Sequence, residues 1–457
     1  MAKPKPLIET DQVDTLSNIL EEATRSSKEG VKYFVEPAQG TLARAATKRY
    51  HIIFGRRGSG KSSLLNKIQN DFNLSRTAVA YVDLETFKAH SYPDVLVSIL
   101  IDTLKSYRRW LVTSAIYPAS KQSFWQKLFG TKPSVKAHDK NATAAIVGKL
   151  DTMIKTLEGV LMAPDEAAQT EEVRTRRLEK QSAGVKGSAT VPGAASFEAF
   201  VAEGNDSERS EGRQSSYQSK KIEFIHRKLI DFKELFSEIS SLTSSPSFLL
   251  LDDLYHIRLS DQALVIDYFH RITKGTNTWL KIGTIRHRTK YYVPGAPPTG
   301  VKLGDDADEI DLDVTLEKYD LTKAFLLAIL ERFCRDCGFK LGELLSDGAR
   351  DRLVLASGGV ARDFLGLVRR SIDVARQRLA SGDDFRGERI SAEDVNKAAG
   401  ELDHFKQEDF SRDTFADEAV TLKTFYDKIR VFCLSTNQSN CILVDKEMKD
   451  EFAFQIK

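Results

Sequence analysis

Two hydrophobic patterns alternate along the first three quarters of the chain. One is a short, nearly unbroken apolar run: Tyr50-His51-Ile52-Ile53-Phe54, Ala78-Val79-Ala80-Tyr81-Val82, Phe248-Leu249-Leu250-Leu251 and Trp279-Leu280-Lys281-Ile282. Runs of this length bounded by turn residues predict strands buried on both faces, as in a parallel sheet. The other pattern returns every three or four residues, from Lys61 to about Phe72, from Tyr92 to about Thr113 and from Ser260 to Lys274, and predicts helices. The βαβα order predicts an α/β fold, a parallel sheet flanked by helices. Glu309-Ile310-Asp311-Leu312 reads as a last strand. From Leu321 the pattern is helical throughout: Leu321–Cys334, Asp347–Ala356, Val360–Leu379, and a further helix opened by Ser391 with Asp394 three residues on, close to a capping box.

The regular alternation breaks between the second and third strands. About 160 residues separate them, where a crossover needs roughly 30, so residues of about 116–240 read as an insertion. Two amphipathic helices, with Leu150, Ile154, Leu157 and Leu161 on one and Ile225, Leu229, Phe232 and Phe236 on the other, predict an antiparallel helical hairpin. The stretch Ala163–Ser219, rich in Ala, Gly, Ser and Glu, is expected to be its loose or exposed tip. Ile116–Lys140 interleaves Phe124, Trp125 and Phe129 with Lys127, Lys132 and Lys136: either a solvated face or a nucleic-acid surface. Residues 1–48 read as a lead-in with Val13, Leu16 and Leu20 on one side of a polar helix, packing beside the phosphate site. Residues 403–457 pair a helix (Val420–Phe432) with Cys441-Ile442-Leu443-Val444, the outline of a small winged-helix-like piece. The division expected is thus lead-in 1–48, core 49–320 with the insertion, helical lid 321–402 and C-terminal segment 403–457.

Composition narrows the class little. The chain has 457 residues, 41% hydrophobic and 29% charged, with a formal net charge of +2, so any nucleic-acid surface must be local. No run approaches the ~20 residues of a membrane span, the first residues lack a signal-like apolar core, and four cysteines make no disulfide framework; a cytoplasmic setting is expected.

The chemistry lies at the strand ends. After the first strand stands Gly55-Arg56-Arg57-Gly58-Ser59-Gly60-Lys61-Ser62-Ser63, then a helix: the phosphate-binding loop in the context it requires. The glycines let backbone N–H groups approach phosphate oxygens, and the helix N-terminus faces the anion. Lys61 can reach the β- and γ-phosphates and Ser62 can ligate Mg²⁺. The third strand ends in Asp252-Asp253, where such sheets bind ligands. Asp252 is expected to hold the Mg²⁺ shell, and Asp253 to orient or deprotonate the attacking water. Thr284, at the end of the fourth strand, falls between these anchors and can sense a γ-phosphate. Arg286 and Arg288 after it can serve as a trans-acting arginine finger, touch DNA or be solvated.

The order of GRRGSGKS at 55–62, FLLLDD at 248–253, WLKIGTI at 279–285, SGGVARDFL at 357–365 and ISAEDVNKA at 390–398 resembles the AAA+ ATPases, in particular the origin-recognition and initiator-type branch and the related STAND signalling NTPases. The resemblance spans roughly residues 30–400 apart from the insertion. It implies an ATP- and Mg²⁺-binding ATPase, Thr284 as sensor 1 and Arg362 as sensor 2 from the lid, and a homo-oligomer with DNA or a partner protein. It implies either an ATPase whose nucleotide state controls oligomerisation and a DNA-associated task or a STAND-type switch, for example in antiviral defence. The sequence departs from the family in Asp253, where Glu is usual and one methylene longer, in Thr284, where Asn is usual, and in the insertion.

Other classes fail on sequence. Asn66-Lys67-Ile68-Gln69 lacks the Asp of a guanine signature, and Leu355-Ala356-Ser357-Gly358-Gly359 follows the Asp252 strand where an ABC signature would precede it. Cys334-x-x-Cys337 has no second pair at zinc spacing, Cys433 and Cys441 being too far apart.

Overall fold

The computed structural model describes residues 5–23, 29–74, 77–116, 140–162, 221–243, 245–383, 385–413 and 416–436. Its centre is a five-stranded, all-parallel sheet of β1 (His51–Phe54), β2 (Val79–Asp83), β3 (Ser247–Asp252), β4 (Thr278–Thr284) and β7 (Asp308–Asp311), in the order β2-β3-β4-β1-β7. Every residue of β1 and β3 is buried. Consecutive side chains point to opposite faces, so both faces of the sheet are covered. A two-stranded antiparallel ribbon, β5 (Tyr292–Val293) with β6 (Thr299–Gly300), lies beyond β4.

The covering helices are α2 (Thr41–Ala45), α3 (Lys61–Leu74), α4 (Asp94–Ile116), α5 (Lys140–Met162), α6 (Leu229–Thr243, with 221–227 also helical) and α7 (Leu259–Thr273). The helices flanking the insertion belong to this body. Arg108 pairs with Asp151 and Lys105 with Glu158, so α5 runs antiparallel to α4. Lys221 reaches Asp94 while the Tyr107 ring meets Phe236, so the chain from 221 through α6 runs parallel to α4. Leu150, Leu157, Phe232 and Phe236 join the core of the sheet. The basic-aromatic residues Phe124 to Lys136, the stretch 163–219 and Cys441–Val444 lie outside the described residues.

A second core is purely helical: α8 (Tyr319–Asp336), α9 (Leu341–Leu344), α10 (Asp347–Ala356), α11 (Ala361–Ala380) and α12 (Ala392–Asp413). Ser391 and Asp394 form the expected capping box, each side chain accepting the other's backbone N–H (3.3 and 2.9 Å). Asp394 is also paired with the buried Arg378 guanidinium at 3.0 Å.

Helix α1 (Asp11–Ala23) buries its apolar stripe of Val13, Leu16 and Leu20 in the helical core, against α8 and α11, while its last residue Ala23 and the segment 30–37 reach the cavity at the phosphate loop. The lead-in is therefore split. α1 joins the helical core, residues 30–37 cross between the two cores, and α2 packs on the sheet.

The class is the expected α/β one, a parallel sheet flanked by helices, with a separate helical body, the expected lid, after it. The winged-helix-like piece is not confirmed among the described residues, which in 403–457 comprise the end of α12 to Asp413, the helix α13 (Ala416–Val431) and a short turn to Thr436.

One interior feature was not foreseen. Lys281, in the middle of β4, is fully buried. Its ammonium donates to Thr47 O (2.7 Å), Arg49 O (2.6 Å) and His51 Nδ1 (2.8 Å), tying the segment before β1 to the sheet. Burial lowers the pKa of Lys281 well below its ordinary value. Burial, then the Lys281 charge, pushes His51 down to about 3.

Candidate functional site

β1 delivers the phosphate loop to the carboxyl edge of the sheet. Gly55 N–H donates to Thr284 O at 3.2 Å, which carries the sheet pairing one step into the loop. Gly58 has φ +87°, and a Cβ there would stand 2.7 Å from Arg362 Cβ. A side chain at 58 would thus be strained in backbone and blocked by the lid. Lys61 begins α3 and is 5% exposed. Its ammonium donates to Gly55 O (3.0 Å) and Arg56 O (3.1 Å), so the lysine folds over its own loop. Burial lowers its pKa against the opposing pull of Asp253, Asp252 and Asp313.

Asp252 closes β3 and is 1% exposed. Its carboxylate accepts the Tyr81 hydroxyl at 2.8 Å and the Asp253 N–H at 2.9 Å, and the Ser62 hydroxyl is near enough to favour its charged form. Burial, then the neighbouring Asp253 charge, pushes Asp252 up to about 6, against those hydrogen bonds and Lys61. Ser62 and Asp252 therefore meet, one hydroxyl and one carboxylate. This hard oxygen pair is of the type that Mg²⁺ takes. Asp253 stands in the left-handed region, φ 55° and ψ 43°, which is uncommon outside glycine and tolerated best by Asp and Asn. That conformation turns the chain at once into a 3₁₀ turn, Leu254–His256, which sets Tyr255 and His256 beside the loop.

One cavity unites these parts. The loop from Arg57 to Leu64, Asp253 and Arg362 all line it. The crossing segment with Tyr33 and Val35, together with Phe325 and Phe333 of α8, forms its apolar side; Tyr33 stacks on Phe333 at 4.0 Å. Arg362 stands in the first turn of α11, its N–H 3.3 Å from Gly58 O. Arg56 bridges the same elements. Its backbone N–H donates to Asp313 Oδ1 (2.7 Å), and its guanidinium to Val314 O (2.9 Å) and Gly358 O (3.3 Å). Gly359 makes that approach feasible: φ is +80°, and a Cβ would lie 2.7 Å from Val314 O.

Several expected residues do not line the cavity: Gly55, Arg56 and the buried Asp252 lie behind its wall, and Thr284, Arg286 and Arg288 stand apart from it. Thr284 is at the end of β4, between β3 and β1 as expected, but it is fully buried and its hydroxyl is engaged with Thr289 Oγ1 at 2.5 Å. Arg286 is held within its own chain by Glu309 (2.9 Å) and Asp311 (3.2 Å), over the Phe54 ring at 4.1 Å. Arg288 is exposed and does not line the cavity.

The structure adds residues the sequence reading passed over. Tyr81 reaches Asp252 from β2. Glu85 follows β2 in a 3₁₀ turn, Leu84–Phe87, where Asp83 Oδ1 accepts the Glu85 N–H at 3.0 Å. Glu85, Tyr255 and His256 line the cavity. The one available signal was position, since Tyr81 and Glu85 flank the end of the strand next to β3. Cys334 and Cys337 are buried in the lid core.

No family model matches the chain, and no curated protein matches it in sequence. Among solved structures it is similar to the Aeropyrum pernix ORC1 protein in complex with DNA, at 12% identity over 95% of this chain and 79% of that one, with a TM-score of 0.35. It is also similar to the Walker-type ATPase PABY2304 of Pyrococcus abyssi, at 12% identity over 95% of this chain and 83% of that one, with a TM-score of 0.37.

Proposed function

We propose that the chain is an AAA+-type ATPase that binds ATP with Mg²⁺ and hydrolyses it slowly, its nucleotide state controlling self-assembly and a DNA-associated task. The carrying observation is one cavity walled jointly by the phosphate loop, Asp253 just after β3 and the first turn of the lid helix α11. Backbone N–H groups and Lys61 cradle the phosphates, and the apolar side formed by Tyr33, Val35 and Phe333 takes the base. Ser62 and Asp252 would hold a Mg²⁺, which would supply positive charge against that of the phosphates. Asp253 orients or deprotonates the attacking water. Arg362 reports phosphate occupancy to the lid, and Thr284, at the strand end between the anchors, is the γ-phosphate sensor of this reading. The units proposed are the core, with the helices that flank its insertion, and the lid, with α1 attached to it.

A second reading is favoured by the Arg286 ion pairs within its own chain. A STAND-type switch, closing on ATP and recruiting a partner protein, needs no trans finger.

One experiment separates them: molecular mass by light scattering with ATPγS, with ADP and with no nucleotide, each with and without duplex DNA, for wild type and Lys61→Ala. Assembly that requires ATPγS, grows with DNA and is lost in the variant supports the first reading. A DNA-indifferent monomer that binds ATPγS supports the switch. Equal ATPγS affinity in wild type and Lys61→Ala overturns the nucleotide reading altogether.

A further inference from the structure

The acidic rim of the cavity contains more than the Asp253 carboxylate. A Glu85 carboxylate oxygen, an Asp253 carboxylate oxygen and a His256 ring nitrogen all lie within 4.8 Å of one another. Two groups that each hold one water at about 2.8 Å sit about 4.6 Å apart when the angle at the water is tetrahedral. Here the bound is 4.8 Å and the Glu85 Oε1–His256 Nε2 pair stands at 3.9 Å, close enough for the three groups to share one water beside the loop that would hold the phosphates. The seat is built from fixed parts. Asp83 clamps the backbone of Glu85. His256 N–H donates to Asp253 O at 3.1 Å, so the imidazole is mounted on the same turn as Asp253. Burial lowers the pKa of His256, which leaves a neutral ring at neutral pH that can share a hydrogen bond with water. The Glu85 side chain is 51% exposed, so it can pass a proton on to solvent.

We propose that Glu85 is the catalytic base of this site, dividing with Asp253 the two tasks that one glutamate after Asp252 would perform. The proposal rests on the ATPase reading above. Asp253 is short, its backbone is committed to a left-handed turn, and Lys61 is the first charge acting on it; it orients the water. Glu85 is one methylene longer and approaches from the neighbouring strand. The water oxygen attacks the γ-phosphorus as one water proton passes to the Glu85 carboxylate. The bond from the γ-phosphorus to the β–γ bridging oxygen breaks, and its electron pair leaves with ADP. Glu85 then releases the proton to solvent, giving ADP and inorganic phosphate.

The test uses the full chain as wild type, Glu85→Gln, Glu85→Asp and Asp253→Asn. ATP hydrolysis is measured at saturation and in single turnover, and affinity with a fluorescent ATPγS analogue. Loss of a general base is worth about 10²–10⁴-fold. The expected result is a kcat for Glu85→Gln at least about 100-fold below wild type with Kd within about twofold, a smaller loss in Asp253→Asn and an intermediate rate in Glu85→Asp. A Glu85→Gln kcat within about threefold of wild type overturns the proposal. So does a Kd weakened about tenfold or more, which would make Glu85 a binding or structural residue. Wild type that binds the analogue but hydrolyses no ATP defeats the hydrolytic half of the parent reading as well, and so marks that failure apart from the failure of Glu85 alone.

Discussion

Replacing Asp252 with Asn should stabilise the free protein while disabling it. The carboxyl is 1% exposed, and burial, followed by the Asp253 charge, raises its pKa from 3.8 to about 6. A folded-state pKa above the unfolded one means that the folded chain holds the proton more tightly. This group's stabilising contribution is therefore complete at low pH and is lost as pH rises through about 6. At about 1.4 kcal/mol per pH unit, the interval from 3.8 to about 6 amounts to roughly 3 kcal/mol forfeited at pH 7. Asn carries no such charge. Its amide oxygen can accept the Asp253 N–H while its NH₂ donates to the Tyr81 oxygen, which keeps the local pattern. Allowing for a weaker neutral hydrogen bond, Asp252→Asn should gain about 1–3 kcal/mol at pH 7–8 and little at pH 4. The assay is urea unfolding from pH 4 to 8 in EDTA without nucleotide, read as the difference between variant and wild type at each pH. That difference should rise between about pH 4 and 6 and then level off. With Mg²⁺ and ATPγS the order should reverse, because a ligand bound only by the folded wild type adds its own stabilisation. A difference flat with pH, or a variant less stable at pH 8 than at pH 4 relative to wild type, would refute the reasoning.

Three further outcomes can be checked. Lys281→Met keeps the volume but deprives Thr47 O, Arg49 O and His51 Nδ1 of a donor; it should cost about 1–3 kcal/mol, and an unshifted urea midpoint would contradict it. Gly359→Ala forces a φ of +80° on a residue with a Cβ 2.7 Å from Val314 O, so the lid should lose at least about 1–2 kcal/mol, seen as faster hydrogen exchange across residues 357–365. Ser391→Ala removes the cap that accepts the Asp394 N–H and should cost about 1 kcal/mol, with Ser391→Thr recovering most of it.

The phosphate loop and the Asp252 strand were legible because each is written locally. Their residue types, spacing and flanking pattern lie within about a dozen positions. The order β2-β3-β4-β1-β7 is not written in that way, since β4 slips between β1 and β3 after more than two hundred residues of chain. The lid helices followed from their period, and Ser391 with Asp394 showed its cap in advance. The destination of α1 did not, because a stripe of Val13, Leu16 and Leu20 says that it will be buried without saying where. Arg286 shows the complementary difficulty. Read alone it is a free cation, yet Glu309 and Asp311, on the edge strand β7 beyond β5 and β6, claim it. Glu85 and Tyr81 carry no motif and acquire meaning from the neighbouring strand.

The placement of α1 has a mechanical consequence. Among the described residues the chain passes between the two cores twice, at 29–37 going in and at 312–318 coming out. A body on a single strap can swivel about any axis, whereas one on two straps turns only about the line joining them. The lid with α1 is thus a door on two hinge pins, and the phosphate loop lies along its jamb. The stack of Tyr33 on Phe333 rivets the first strap to the door leaf. A nick in that strap would leave α1 glued to the lid by Val13, Leu16 and Leu20. The door would then hang from one pin, and under the function proposed above its angle would no longer follow what the loop holds.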